Sequence, residues 1–159
     1  MPETPQFLAE RLRSEGDKTV EFFNQYPAAQ WSQQIYTDGS GWTVGQILAH
    51  FISTEEAIRT LITDVLAGGS GAPEGFDIDS FNESDVARLG GLPADELLGR
   101  FVELRQKTAV IVAQMQPDDL QRMGRHPFLG IVALADTIKL LYRHNQIHIR
   151  DIRHFSPGG

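Results

Sequence analysis

At 159 residues, 41% hydrophobic and 22% charged, the chain has the size and balance of one globular domain with a single core, and enough apolar content to fold. A net charge of −7 and a pI near 5.1 argue against a general nucleic-acid binder, whose surface must neutralise phosphates. The lack of cysteine excludes disulfides, thiolate metal sites and a cysteine nucleophile together. No apolar run reaches membrane-spanning length, and the opening MPETPQFLAERL lacks the basic-then-apolar order of a signal peptide, so a soluble cytoplasmic protein without membrane contact is expected.

The first predicted helix runs from about Thr4 to Tyr26, with Phe7, Leu8, Leu12, Val20, Phe22 and Phe23 as apolar positions. Gly16 in its middle weakens it by roughly 1 kcal/mol relative to alanine. Tyr26 to Gly41 reads as a connection with turn chemistry at Pro27, Asp38, Gly39, Ser40 and Gly41, bracketed by Trp31 and Trp42. A second helix starts near Thr43, a candidate N-cap, and stops before Gly68 and Gly69. His50 lies at the edge of its stripe of Val44, Ile47, Leu48, Phe51, Ile58, Ile62 and Val65. Taken alone, His50 reads first as a buried, hydrogen-bonded histidine.

Residues 68–93 form a long connection rich in glycine, proline and acids, with room for a short helix around Phe81 to Leu89 and the length of a crossover along a bundle. A third long helix is predicted from Pro93 or Ala94 to Met115, with Asp95 and Glu96 at the positive end of its dipole. Asp118 and Asp119 read as a turn or cap. His126, before Pro127, reads as an extended or turn residue, and His154 as solvent-exposed.

The last helix is predicted over Gly130 to Phe155, with Leu134, Ile138, Leu141, Asn145, His148 and Ile152 on one face. His144 and His148 stand one turn apart, about 6 Å along the axis, close enough to share a metal ion; the alternative is two helix-edge histidines, one packed and one solvated. The pair lacks the glutamate of the zinc-protease pattern, since Asn145, Gln146 and Ile147 stand between. Arg143, Arg150 and Arg153 cluster near the helix end, where cations suit the dipole. No segment shows sustained period-two alternation, so an all-α bundle of four long helices with a crossover is expected, as one domain over residues 1–159. In such a bundle His50 could join the pair in one polar pocket, where a shared divalent cation would satisfy all three imidazoles and keep open positions for water or substrate.

The segments WTVGQILAHFISTEE and RHNQIHIRDI resemble the two histidine motifs of the DinB-like superfamily, and FNE at Phe81 to Glu83 and HPFLG before the last helix are similar to its weaker patterns. The resemblance spans nearly the whole chain. It implies an up-down-down-up four-helix bundle, often a homodimer, that binds zinc or nickel through three histidines, which fall here on His50, His144 and His148. Characterised members include thiol-dependent S-transferases and isomerases that use bacillithiol, mycothiol or glutathione. The function implied is therefore a metal-dependent thiol S-transferase, or next a hydrolase using metal-activated water. The cosubstrate must bring the sulfur, and Arg143 or Arg150 are candidates to hold its carboxylates. Asp151, near His148, either orients a ligand imidazole or pairs with a surface arginine. The alternative is a non-catalytic bundle that binds a small ligand or a partner helix. A nucleic-acid role is set aside on the acidic balance.

Overall fold

Thr4 accepts a hydrogen bond from the Phe7 amide and opens α1 (Pro5–Gln25), with proline in the first turn where its missing N–H costs nothing. The computed structural model describes residues 3–36 and 41–155, so Asp38, Gly39 and Ser40 of the expected turn lie outside the described residues. Thr43 and Gln46 form a reciprocal capping box at the start of α2 (Val44–Leu66), and Gly68, at φ +100°, follows its C-cap. Within the long connection stands α3 (Ile78–Leu89), capped by Asp77. Pro93 is the N-cap of α4 (Ala94–Ala113), just outside the first turn, and α5 spans Leu134–Phe155.

Two expectations need correction. The last helix begins at Leu134, because Gly130–Ala133 is a strand, β2, paired antiparallel with β1 (Met123–His126). The fold is thus mostly helical with one small hairpin. Four residues are too few to reveal an alternating pattern, and the apolar Ile131 and Val132 run on into the helix in sequence. The second correction is Phe7, which is 52% exposed and faces away from the core. The 68–77 segment ties to the hairpin: the Arg125 amide donates to Ser70 O and the Ala72 amide to Arg125 O, both at 2.8 Å. Gly71 sits between them at φ +92°, where a Cβ would lie 2.6 Å from the Arg125 nitrogen.

α1 packs against α4 and α5, and α2 packs against α3, α4 and α5. The buried apolar residues fall into two clusters. One gathers Leu8, Leu12, Ile62, Val112, Leu134 and Ile138; the other gathers Phe23, Leu48, Phe51, Phe101 and Ile152. Each such side chain contributes about 1.5–3 kcal/mol on burial, against about 1 kcal/mol for a cap, so packing holds the helices and the caps set their ends.

Between the clusters runs a polar layer. Arg105, 3% exposed, forks onto the Glu55 carboxylate, 1% exposed, with Nε–Oε2 at 3.1 Å and Nη2–Oε1 at 3.0 Å. Its Nη2 also donates to Asn145 Oδ1 at 2.6 Å, and Nη1 to the Leu12 carbonyl at 3.1 Å. One guanidinium therefore joins α1, α2, α4 and α5. Gly16 makes this possible, since a Cβ there would meet the Arg105 stem at 2.9 Å. Glu55→Ala leaves the buried guanidinium without its counter-charge and is expected to lower unfolding free energy by about 3–5 kcal/mol. In urea unfolding, Glu55→Leu combined with Arg105→Met should cost clearly less than the two single substitutions summed.

Candidate metal centre

Leu48, Phe51 and Ile52 bury one face of α2. That turns His50 toward α5, where the i, i+4 spacing of His144 and His148 presents two imidazoles to it. The three rings meet. His50 Nε2 lies 2.9 Å from His144 Nε2, and His148 Nε2 lies 3.0 Å from the same atom. His50 is buried and the other two are half-buried. The Trp42 ring stacks over His50 at 4.6 Å between centroids, and Phe51 contacts both His144 and His148.

The converging nitrogens cannot satisfy one another. Each Nε2 carries either one proton or one lone pair, so His144 Nε2 can make one of its two contacts as a hydrogen bond and not both. Three lone pairs directed at a cation resolve the conflict, and a neutral imidazole set is the donor chemistry of such a site. Burial keeps the rings neutral. It pushes His50 down to about 3, with the neighbouring His148 adding to the effect. His144 is held well below the usual histidine value by burial and then by His50 and His148. His148 is lowered by burial, against an upward pull from Asp151. The donor set therefore fits a divalent metal ion, and the three histidines could bind one.

The tautomer of His148 follows from its outer neighbours. Tyr36 Oη lies 2.7 Å from His148 Nδ1 and donates to Asp151 Oδ2 at 2.7 Å. A carboxylate only accepts, so the phenol's single proton goes to Asp151 and His148 Nδ1–H donates to the phenol oxygen. That leaves the His148 Nε2 lone pair facing the other two rings. Burial and then Asp151 hold the Tyr36 phenol well above its ordinary value, so it stays protonated. Asp151 thus orients His148 through Tyr36, in addition to the upward pull of its charge on the ring. His50 Nδ1 and His144 Nδ1 are sealed without a partner.

A cavity of about 370 Å³ opens against His50 and His144. Ile58, Ile78, Phe81, Phe128 and Leu141 form much of its wall, and Thr54, Asp79, Asn82 and His126 are its other polar residues. Arg143 and Arg150 are exposed on α5 and do not line it. Sequence reasoning missed Tyr36, an aromatic residue in a connection whose side chain meets α5 only through the tertiary fold.

The sequence model of the DinB superfamily matches residues 11–152. No curated protein matches the chain significantly. Among solved structures, a mycothiol-dependent maleylpyruvate isomerase superposes with a TM-score of 0.78 at 15% identity, over 94% of this chain and 60% of that one. The chain thus spans about 60% of the isomerase's length. The colibactin self-resistance protein ClbS, solved in complex with a dsDNA, gives 0.73 at 12% identity over 97% and 98% of the two chains. An uncharacterised protein from Escherichia coli UTI89 gives 0.77 at 13% identity over 99% and 95%. At these identities the likeness is one of fold.

The depressed histidines set a pH dependence for the metal-free protein. Below about 6.5 the unfolded chain protonates its imidazoles while the folded chain resists, so the unfolded state binds more protons and stability falls as pH falls. For His50 this loss continues until pH approaches about 3. Urea midpoints of chelator-treated protein should drop between pH 7.5 and 5, and the drop should be smaller in His50→Leu.

Proposed function

The chain belongs to the DinB superfamily, and on that premise we propose that it is a metal-dependent enzyme, most specifically a thiol S-transferase. The observation that carries the reading is the meeting of three imidazoles, one buried and two half-buried, beside a cavity large enough for a small molecule. His50, His144 and His148 would hold the metal through Nε2, on an up-down-down-up four-helix bundle in which residues 68–93 are the crossover. A divalent cation with three nitrogen ligands, zinc or nickel by the resemblance, binds a thiol as its thiolate at neutral pH.

The chain's own residues supply the rest. Tyr36 and Asp151 fix the His148 tautomer and ring plane, and Trp42 and Phe51 pack the rings in place. The apolar cavity walls exclude water and hold the electrophile beside the sulfur. With no cysteine in the sequence, the sulfur comes from a low-molecular-weight thiol. The structural likeness to a mycothiol-dependent isomerase supports thiol use. The likeness to ClbS raises DNA contact, but a net charge of −7 disfavours phosphate binding. The reading also includes a cytoplasmic location and, from the superfamily resemblance, a homodimer; no helix among the described residues is long and apolar enough to cross a membrane.

The second reading, a non-catalytic binder of small ligands, is favoured by the same cavity and separated from the first by turnover. Untagged protein loaded with zinc or nickel and desalted is expected to retain about one ion per chain, and His148→Ala to lose it; equal content in both proteins overturns the metal site. Tyr36→Phe should keep the fold and weaken metal affinity by about 10–100-fold. Metal-loaded protein should accelerate attack of a thiol such as glutathione on a small electrophile, whereas ligand binding without turnover supports the second reading.

A further inference from the structure

The fourth histidine near the triad has a different arrangement from the other three. His126 ends β1 and is 7% exposed. Its Nδ1 accepts from two backbone amides, Phe128 at 3.0 Å and Leu129 at 3.1 Å. An Nδ1 that accepts carries no proton, so in the neutral ring the proton sits on Nε2. Burial holds His126 below the ordinary histidine value, consistent with that neutral form. Nε2 has no protein acceptor among the described residues, yet it is not among the sealed orphan atoms, which are Arg11 Nε, Tyr26 Oη, His50 Nδ1 and His144 Nδ1. The residue is among those that line the cavity against His50 and His144.

The remaining chemistry of that cavity is selective. No lysine or arginine lines it, and its one carboxylate is Asp79, so in the metal-free protein an anionic group would enter without a counter-charge and beside a like charge. An apolar body suits Ile58, Phe81 and Leu141, and the volume of about 370 Å³ matches a molecule of roughly one ring and a short chain. We infer that the cavity takes an uncharged, mainly apolar compound carrying a carbonyl or similar oxygen acceptor, and that His126 is its orienting donor through Nε2–H. A neutral imidazole whose Nδ1 is held by backbone amides polarises a carbonyl by hydrogen bonding without giving up its proton. In the metal-free cavity this disfavours carboxylates. The inference rests on the metal-enzyme reading for the use made of the bound carbonyl, and not for its binding.

The test is ligand titration, followed by NMR, of chelator-treated protein with three probes of one shape: 4-phenylbutan-2-one, 3-phenylpropanoate and butylbenzene. The ketone is expected to bind about tenfold or more tighter than the carboxylate, and about fivefold tighter than the hydrocarbon. His126→Asn keeps an acceptor for the two turn amides and removes the Nε2–H; it should abolish the ketone's advantage over butylbenzene, read as the ratio of the two affinities. His126→Gln, whose amide nitrogen reaches further, should restore part of it. Carboxylate binding equal to the ketone's overturns the inference, as does a ketone-to-hydrocarbon ratio unaltered in folded His126→Asn. Should that variant not fold, the ratio in the unsubstituted protein decides, with a value near one against the inference. Loss of the metal reading shows separately, as absent metal retention with the ketone preference intact.

Discussion

The guanidinium of Arg105 sets the geometry on which the site depends. A buried cation costs several kcal/mol unless it is paired, and this one is met by two oxygens of Glu55, one of Asn145 and one backbone carbonyl. Those partners come from α2, α5 and α1, so the fork fixes how the helices are rotated and slid relative to one another. Asn145 is next to His144 in sequence, and Glu55 is little more than one turn beyond His50. The contact that aligns α2 with α5 in the core therefore also aligns the two helices that carry the imidazoles. An apolar layer would tolerate a shifted packing; a bidentate ion pair does not.

The site itself combines three histidines with unequal support. His148 has a two-step relay through Tyr36 to Asp151 that fixes its protonation. His50 and His144 have no outer hydrogen-bond partner on Nδ1 among the described residues, and packing holds them, His50 beneath the Trp42 ring and His144 against Phe51. Orientation by a hydrogen bond constrains the ring plane more tightly than orientation by van der Waals contact, so His148 is the best-defined member of the set. His126 repeats the principle at the cavity wall, where the two amides that choose its tautomer also close the hairpin turn.

Much of the helical framework was legible in sequence because periodicity and end signals agree. Thr4, Thr43 and Gly68 mark ends that packing leaves in place. The i, i+4 pair on α5 was legible for the same reason, and the bundle arrangement brought in His50, which the superfamily resemblance supported. Three features were not. Glu55 and Arg105 carry no sequence signal that marks them as partners, and only the tertiary fold brings them together across the core. Tyr36 lies in a connection, where no periodicity indicates which way a side chain points. The hairpin strands are too short for alternation to register, and Gly130–Ala133 was absorbed into the helix that follows.

The spacing between the polar layer and the imidazole cluster has an evolutionary consequence. One residue inserted between positions 50 and 55 would swing one relative to the other by about 100° around the α2 axis. Either Glu55 would leave the guanidinium or His50 would leave its companions, and no side-chain replacement elsewhere could restore both. That five-residue interval is therefore intolerant of length change, as is the single step from His144 to Asn145, whereas insertions have more freedom in exposed stretches such as the Pro73–Phe76 turn.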